Sequence, residues 1–368
     1  MTNKTKNIIL IGSYGRGNIG DDAFIEAFKN ILKDKNVYLN ASNDLKFLNL
    51  PSNFQVIPTD LYKDFFKKIK IFFRSDTIIY GGGDLWVVLY GDKYPNQSLW
   101  KMLIINSFCK LCGKTIYYMG VGAGKLEGLP LALARKSAYL ADYILFRDQL
   151  SPITLNINPN KYAVTTDLTC FLQKKNIQKY PKTENQKTKI GISLLYFIPD
   201  PVTNFYPYLT SIAKSINLLD SNKYSIQMLP FLYCDKVQKN DIWTAKEFNK
   251  LLKPDMEVEI MKLNTTAATL EVINKLDLVI GTRLHANILS AIVNTPTIGI
   301  SYRPKVQKFF NDHQLSNYFI SIDNLNELSP KINQVINNPN QTTTDFNNAF
   351  NLITKEKTIY EKFITNYL

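Results

Sequence analysis

Residues Asp277 to Phe310 read DLVIGTRLHANILSAIVNTPTIGISYRPKVQKFF. The apolar, β-branched run Asp277 to Ile280 predicts a strand that stops at Gly281. Ala286 to Val293 has helical composition, and Thr297 to Ile300 predicts a second strand. Strand, turn, helix, strand and turn make half of a doubly wound α/β unit, in which ligands sit beyond the carboxyl ends of the strands. Arg283, His285, Tyr302, Arg303 and Lys305 fall at those ends.

The chain has only two histidines, and His285 follows an arginine by two residues at the start of the predicted helix. Imidazole takes and gives protons near neutral pH, and a guanidinium offers a permanent fork for carboxylate or phosphate. A lone histidine is as readily a helix cap or a core residue. Two neighbouring strand ends, one with Arg and His and one with Tyr, Arg and Lys, predict an anion site instead.

The same grammar recurs toward the N-terminus. Asn7 to Ile11 predicts a buried strand that enters GSYGRGNIGDDAFIEAFKNIL, a glycine-rich turn and an amphipathic helix. Gly15, Gly17 and Gly20 spell G-x-G-x-x-G, which opens the reading of a dinucleotide site at a helix N-terminus. Asp21 and Asp22 would repel a phosphate there, and the other reading has them cap the helix and complement its dipole. DTIIYGGGDLW predicts a strand stopping at Gly81, Gly82 and Gly83, and TIYYMGVGAG one ending at Gly120, Gly122 and Gly124. Glycines at strand ends let backbone amides approach a ligand closely. DYILFRDQLS ends in Arg147, Asp148 and Ser151. Arg147 either points into the ligand edge or is held in an internal ion pair with Asp148 or a neighbour.

A chain of 368 residues suggests two domains. The polar stretch Phe171 to Lys189 reads as their linker. We therefore expect an α/β protein of two Rossmann-like domains, residues 1–178 and 179–345, and a last helix over 346–368. Apolar content of 45% and charged content of 20% fit a globular chain, not a disordered or fibrous one. Lysine and arginine outnumber acids 44 to 31, so the net charge of +13 favours anionic partners. The lysines are scattered and no nucleic-acid motif is present, so nucleic acid is not expected as a partner. The apolar run at the N-terminus is too short for a signal peptide and no segment reaches transmembrane length. The expected location is the cytoplasm, with at most peripheral contact with the anionic inner face of a membrane. Cys109 and Cys112 spell C-x-x-C, but inside a helical pattern, which argues against redox chemistry. No second ligand pair supports a zinc site, and no metal is expected.

GTRLHANILSAIVNTPTIGISYRPKV resembles the hallmark segment of the polysaccharide pyruvyl transferases. The shared pattern is Gly281, Arg283, Leu284, His285, Ala291, Pro296, Tyr302 and Lys305, with departures at Thr282, where relatives often have Met, and at Arg303, often acidic. Gly15, Asn18, Gly20, Asp21 and Asp22 resemble the family's N-terminal motif, and Arg147, Asp148 and Ser151 its Arg-Asp-x-x-Ser. Both glycine sets and Asp167 resemble family motifs too, as do Asp241 and Ala245. The resemblance implies a GT-B-like fold with the two domains facing a cleft and the last helix packing back on the first domain. It implies transfer of pyruvyl from phosphoenolpyruvate, as a ketal, onto two hydroxyls of one sugar in a glycan or a lipid- or nucleotide-linked precursor, with no cofactor. On that reading His285 is catalytic, and Arg283, Leu284, Arg147, Lys305, Tyr302, Asn18, Asp21, Gly82, Gly83 and Gly122 bind substrate. Two other readings stay open: a GT-B glycosyltransferase using a nucleotide sugar, and a silent member that binds glycans or scaffolds a complex.

Overall fold

The computed structural model describes residues 6–42, 48–58, 64–88, 96–173, 186–196, 205–233 and 240–368. Most of the expected linker, including the 178/179 boundary, lies outside them. The chain forms two compact units, residues 1–16, 21–171 and 355–368 in the first, and 17–20 and 172–354 in the second.

The first unit is built on seven parallel strands: β1 (Asn7–Ile11), β2 (Asn36–Ala41), β3 (Phe54–Pro58), β4 (Thr77–Trp86), β5 (Thr115–Ala123), β6 (Tyr143–Phe146) and β7 (Tyr162–Val164). Their order is β3-β2-β1-β4-β5-β6-β7. The strands are short apolar runs, as buried parallel strands require, and the helices α1 (Ile19–Ile31), α2 (Phe65–Arg74), α3 (Gln97–Leu111), α4 (Gly128–Tyr139) and α5 (Leu150–Leu155) connect them. Tyr80, Trp86 and Tyr118 centre one face of the core, with ring centroids 4.6 and 4.7 Å apart. The polar tips of two of them are bonded: the Trp86 indole donates to Ser137 Oγ, and Asn106 Nδ2 donates to the Tyr118 hydroxyl oxygen.

The second unit repeats the plan with β8 (Thr188–Ser193), β9 (Tyr224–Met228), β10 (Glu257–Ile260), β11 (Leu278–Gly281), β12 (Thr297–Ser301) and β13 (Phe319–Ser321), ordered β10-β9-β8-β11-β12-β13 and all parallel. Its helices are α6 (Phe205–Asn217), α7 (Asp241–Asn249), α8 (Thr266–Asn274), α9 (Leu284–Ile292), α10 (Pro304–Asp312) and α11 (Leu328–Asn337). Both sheets thus reverse strand order once, between β1 and β4 and between β8 and β11, which marks a crevice at each carboxyl edge.

Two expectations need correction, and one alternative falls away between them. The strand predicted to stop at Gly81 to Gly83 runs through them, β4 ending at Trp86, whereas β5 ends at Ala123, among the glycines expected there. Gly82 and Gly83 take φ of +74° and +85°, which only glycine adopts without strain, and a Cβ on Gly81 or Gly82 would lie 2.2 or 2.3 Å from the rings of Phe28 and Phe24. The triplet therefore lets α1 settle directly on β4. Secondly, the crevice between β1 and β4 is filled by protein. Tyr14, 1% exposed, donates its hydroxyl to the Gly81 carbonyl at 2.6 Å, so its ring lies where a dinucleotide pyrophosphate would need room. Thirdly, the last helix, α12 (Pro339–Tyr367), starts before the expected 346. Its first turns are polar in sequence, but Pro339 suits a first turn, and Thr342, Phe346, Ala349 and Ile353 form one buried stripe. Its residues from 355 onward belong to the first unit.

Cys109 sits in the last turn of α3, and burial, then the neighbouring Cys112, pushes its thiol up to about 11. A redox cysteine needs the opposite shift.

Candidate functional site

In the second unit the carboxyl edges of β11 and β12 lie side by side, with Gly281 opposite Gly299. Each strand turns straight into a helix N-terminus. Arg283 is the N-cap residue of α9 and Arg303 that of α10, and neither helix start has a side-chain cap bond. First-turn N–H groups and the positive ends of two helix dipoles are therefore presented at adjacent strand ends, and anions are stabilised there. Tyr302, Arg303 and Lys305 are part-exposed at the second of these turns, with the cationic groups of Arg303 and Lys305 5.8 and 6.0 Å from the Tyr302 ring centre. Leu284 is only 6% exposed, so its side chain belongs to the core and it offers the edge its main-chain N–H alone.

Arg283 is held by Asp241, the first residue of α7. The guanidinium donates from Nε to Oδ2 at 2.9 Å and from Nη2 to Oδ1 at 2.5 Å, a two-pronged charged pair. Asp241 is 2% exposed, and its Oδ2 also accepts the main-chain N–H groups of Phe231 and Leu232 at 3.0 Å. Arg283 keeps 22% of its side chain exposed. The β11–α9 turn is fixed from beneath by buried Asn287, whose amide donates to the carbonyls of Gly281 and Arg283, while Thr297 of β12 donates to its carbonyl oxygen. Thr282, one of the two residues that depart from the family pattern, donates to the Ser193 carbonyl and accepts from the Tyr208 hydroxyl. Its polarity is matched by a tyrosine that spans to it from α6.

His285 occupies the first turn of α9 and is part-exposed. The segment 17–20 reaches it. Asn18 pairs as an isolated antiparallel bridge with Leu232, Ile19 N–H donates to the Phe231 carbonyl, and Tyr233 N–H donates to the Gly17 carbonyl. Asn18 Oδ1 accepts from Gly20 N–H and so closes the start of α1, while Asp21 and Asp22 lie in its first turn, where their charge complements the dipole. Gly20 then lies against the imidazole, since a Cβ there would fall 2.2 Å from His285 Nδ1. Asn18, Gly20, Arg283 and His285, far apart in sequence, are thus brought together. If His285 carries the chemistry, Gly20→Ala, by displacing the imidazole, is expected to lower turnover at least about tenfold, with a smaller effect on melting temperature. Parallel activity and melting measurements check this; unchanged turnover would mean that the ring position does not matter.

In the first unit Arg147, at the end of β6, is 7% exposed and enclosed by two carboxylates, Asp84 at 2.6 Å and Asp167 at 2.9 Å. Burial by itself would lower its pKa, but Asp84 and then Asp167 more than offset this and raise it. The ion-pair reading therefore describes Arg147, with Asp84 and Asp167 at hydrogen-bond distance and the charge of Asp148 adding to theirs. The Asp148 carboxylate itself accepts from the N–H groups of Leu150 and Ser151 and from the Ser151 hydroxyl, whose oxygen accepts from Ala123 N–H. Gly122 makes room for the cluster, since a Cβ would lie 2.7 Å from Asp84 Oδ1. Gly82 and Gly83 face Phe24, and Asp21 lies part-buried in the first turn of α1 beside Asp22, which accepts from Gly15 N–H. Sequence reasoning missed Asp84 as the partner of Arg147, although a lone acid directly after three glycines in an apolar run was a signal.

Residues 18–304 match the family model for polysaccharide pyruvyl transferase. The chain belongs to that family. No curated protein matches it. Among solved structures, HepE of Anabaena in complex with UDP is similar over 98% of this chain and 100% of its own, with a TM-score of 0.62 and 12% identity. The UDP-GlcNAc 2-epimerase of Neisseria meningitidis bound to UDP-GlcNAc has a TM-score of 0.60 and 12% identity over 98% and 100% of the two chains. At such identity the likeness concerns the fold, which is that of the GT-B enzymes, two parallel-sheet α/β domains.

Proposed function

We propose that the protein transfers a pyruvyl group from phosphoenolpyruvate to a sugar of a glycan or glycan precursor, forming a ketal. The observation that carries this reading is Arg283, pinned by Asp241 at the start of α9 and followed by His285 in the same turn. Phosphoenolpyruvate bears a carboxylate and a phosphate on a three-carbon frame, and two adjacent helix starts with Arg283, Arg303 and Lys305 suit that pair of anions. In this proposal His285 moves the protons. One sugar hydroxyl adds to C2 of the enol and C3 takes up a proton to become methyl. Phosphate then leaves C2 and the second hydroxyl attacks there, so that of two hydroxyl protons one ends on C3 and the other on phosphate. Fixed cations suffice to offset the charge of this sequence, and no cofactor enters it. In this proposal Tyr302 and Leu284 shape the donor position, and Asn18 supports it by holding the segment against His285. Gly82, Gly83, Gly122, Arg147 and Asp21 act by maintaining the edge of the first unit.

A second reading, a glycosyltransferase using a nucleotide sugar, is favoured by the fold neighbours, whose structures hold UDP or UDP-GlcNAc. Thermal protection separates the two, because only a ligand bound to the native state raises the melting temperature. Phosphoenolpyruvate is expected to protect in a salt-sensitive way, UDP-sugars not, and Arg283→Ala is expected to lose most of the shift. Protection by UDP-sugar alone would favour the second reading, and a full shift in the variant would make Arg283 structural.

A further inference from the structure

The helices α2 and α3 of the first unit carry a surface that neither the fold nor the proposed chemistry uses. α2 reads FFKKIKIFFR, and only Ile71 of it is buried. Phe65, Phe66, Ile69 and Phe73 are 54, 84, 38 and 63% exposed. At 3.6 residues per turn these four share one face, and Lys67, Lys70 and Arg74 form a stripe directly beside it. α3 repeats the apolar half. Trp100, Ile104, Phe108 and Leu111 fall at i, i+4, i+8 and i+11 on one face and are 46, 63, 50 and 86% exposed. Phe72 and Phe108 stack at 5.1 Å, so the two helices adjoin. Neither helix contains an acidic residue. Single exposed apolar side chains are ordinary on a protein surface, but eight on two adjoining helices mark an interaction site.

We infer that this face is a membrane-docking surface that seats on an anionic phospholipid bilayer, with the aromatic side chains in the headgroup boundary and the lysines and arginine against lipid phosphates. Charge complementarity selects this occupant. A bilayer with anionic lipid offers an apolar layer directly beneath a negative one, and this matches the paired stripes of α2. A second copy of the chain docked symmetrically through the same face would set like-charged stripes together, in a chain whose net charge is already +13. Among the described residues no helix is long and apolar enough to cross a membrane, so the contact would be one of lying on the surface. The inference rests on the exposed side chains of the first unit and stands apart from the identity of the donor.

The full chain should be sedimented with vesicles of phosphatidylcholine alone and of phosphatidylcholine with phosphatidylglycerol. Binding is expected with the anionic vesicles only, weakening with salt, and with a blue shift of tryptophan emission that Trp100→Phe abolishes. Lys67→Gln, Lys70→Gln and Arg74→Gln combined should weaken binding about a hundredfold, taking each cation near an anionic surface as worth about fivefold. Phe66→Ser with Phe73→Ser should weaken it at least about tenfold without lowering the melting temperature, both side chains being exposed. Failure to bind anionic vesicles at low salt would overturn the inference. So would parent-like binding by the serine variant, or a concentration-dependent dimer that the serine variant dissolves.

Discussion

Changing His285 to glutamine is expected to cut turnover by about a hundredfold to ten-thousandfold, the usual worth of general acid–base catalysis, while leaving the fold and donor protection in place. Glutamine keeps a hydrogen bond but does not shuttle a proton near neutral pH. The side chain sits in the first turn of α9, part-exposed, with Gly20 against its ring. If His285 were only a cap or a satisfied polar group, the substitution would instead cost about 1–3 kcal/mol of stability with turnover per folded molecule unchanged. Turnover and melting temperature measured on one preparation tell these apart.

The second large effect is on stability. Arg147→Ala is expected to destabilise the protein by about 3–5 kcal/mol, because it leaves Asp84 and Asp167 facing each other without the cation they enclose. The sign of a repair experiment is equally definite. Adding Asp84→Asn and Asp167→Asn to Arg147→Met should recover much of the loss, since uncharged replacement of a buried ionic triad is commonly near neutral. Denaturant midpoints at constant slope provide the measurement. A fully stable Arg147→Ala protein that no longer gains melting temperature from phosphoenolpyruvate would show Arg147 to be a donor ligand after all.

What is legible in the sequence, and what is not, follows from the range of each interaction. The strands β1, β11 and β12 and the helix α9 were legible because an apolar run bounded by glycine, or a helical run after Arg283, is a local signal. The glycines of β4 stand out as special in the sequence, but their use does not. A Cβ-free stretch is equally good for receiving a ligand or receiving Phe24 and Phe28 of α1, and only the packing decides. Tyr14 had no signal at all, since nothing local distinguishes a tyrosine that folds back to Gly81 from one that faces solvent. The start of α12 was missed because its polar residues resemble a loop until Thr342 is seen to share a stripe with Phe346. Arg283 and His285 were found by residue type, whereas Asp241 and Gly20, which hold them, are distant in sequence and invisible to periodicity.

The central claim, that this family member moves pyruvyl from phosphoenolpyruvate to a sugar, is tested most directly by mass spectrometry of lipid-linked and nucleotide-linked sugars incubated with the protein, phosphoenolpyruvate and UDP-sugars together. The expected result is an acceptor that gains one pyruvyl ketal, with one phosphate released per acceptor changed and UDP-sugars untouched. An acceptor that gains a glycosyl residue with release of UDP, while phosphoenolpyruvate remains unconsumed, would contradict it.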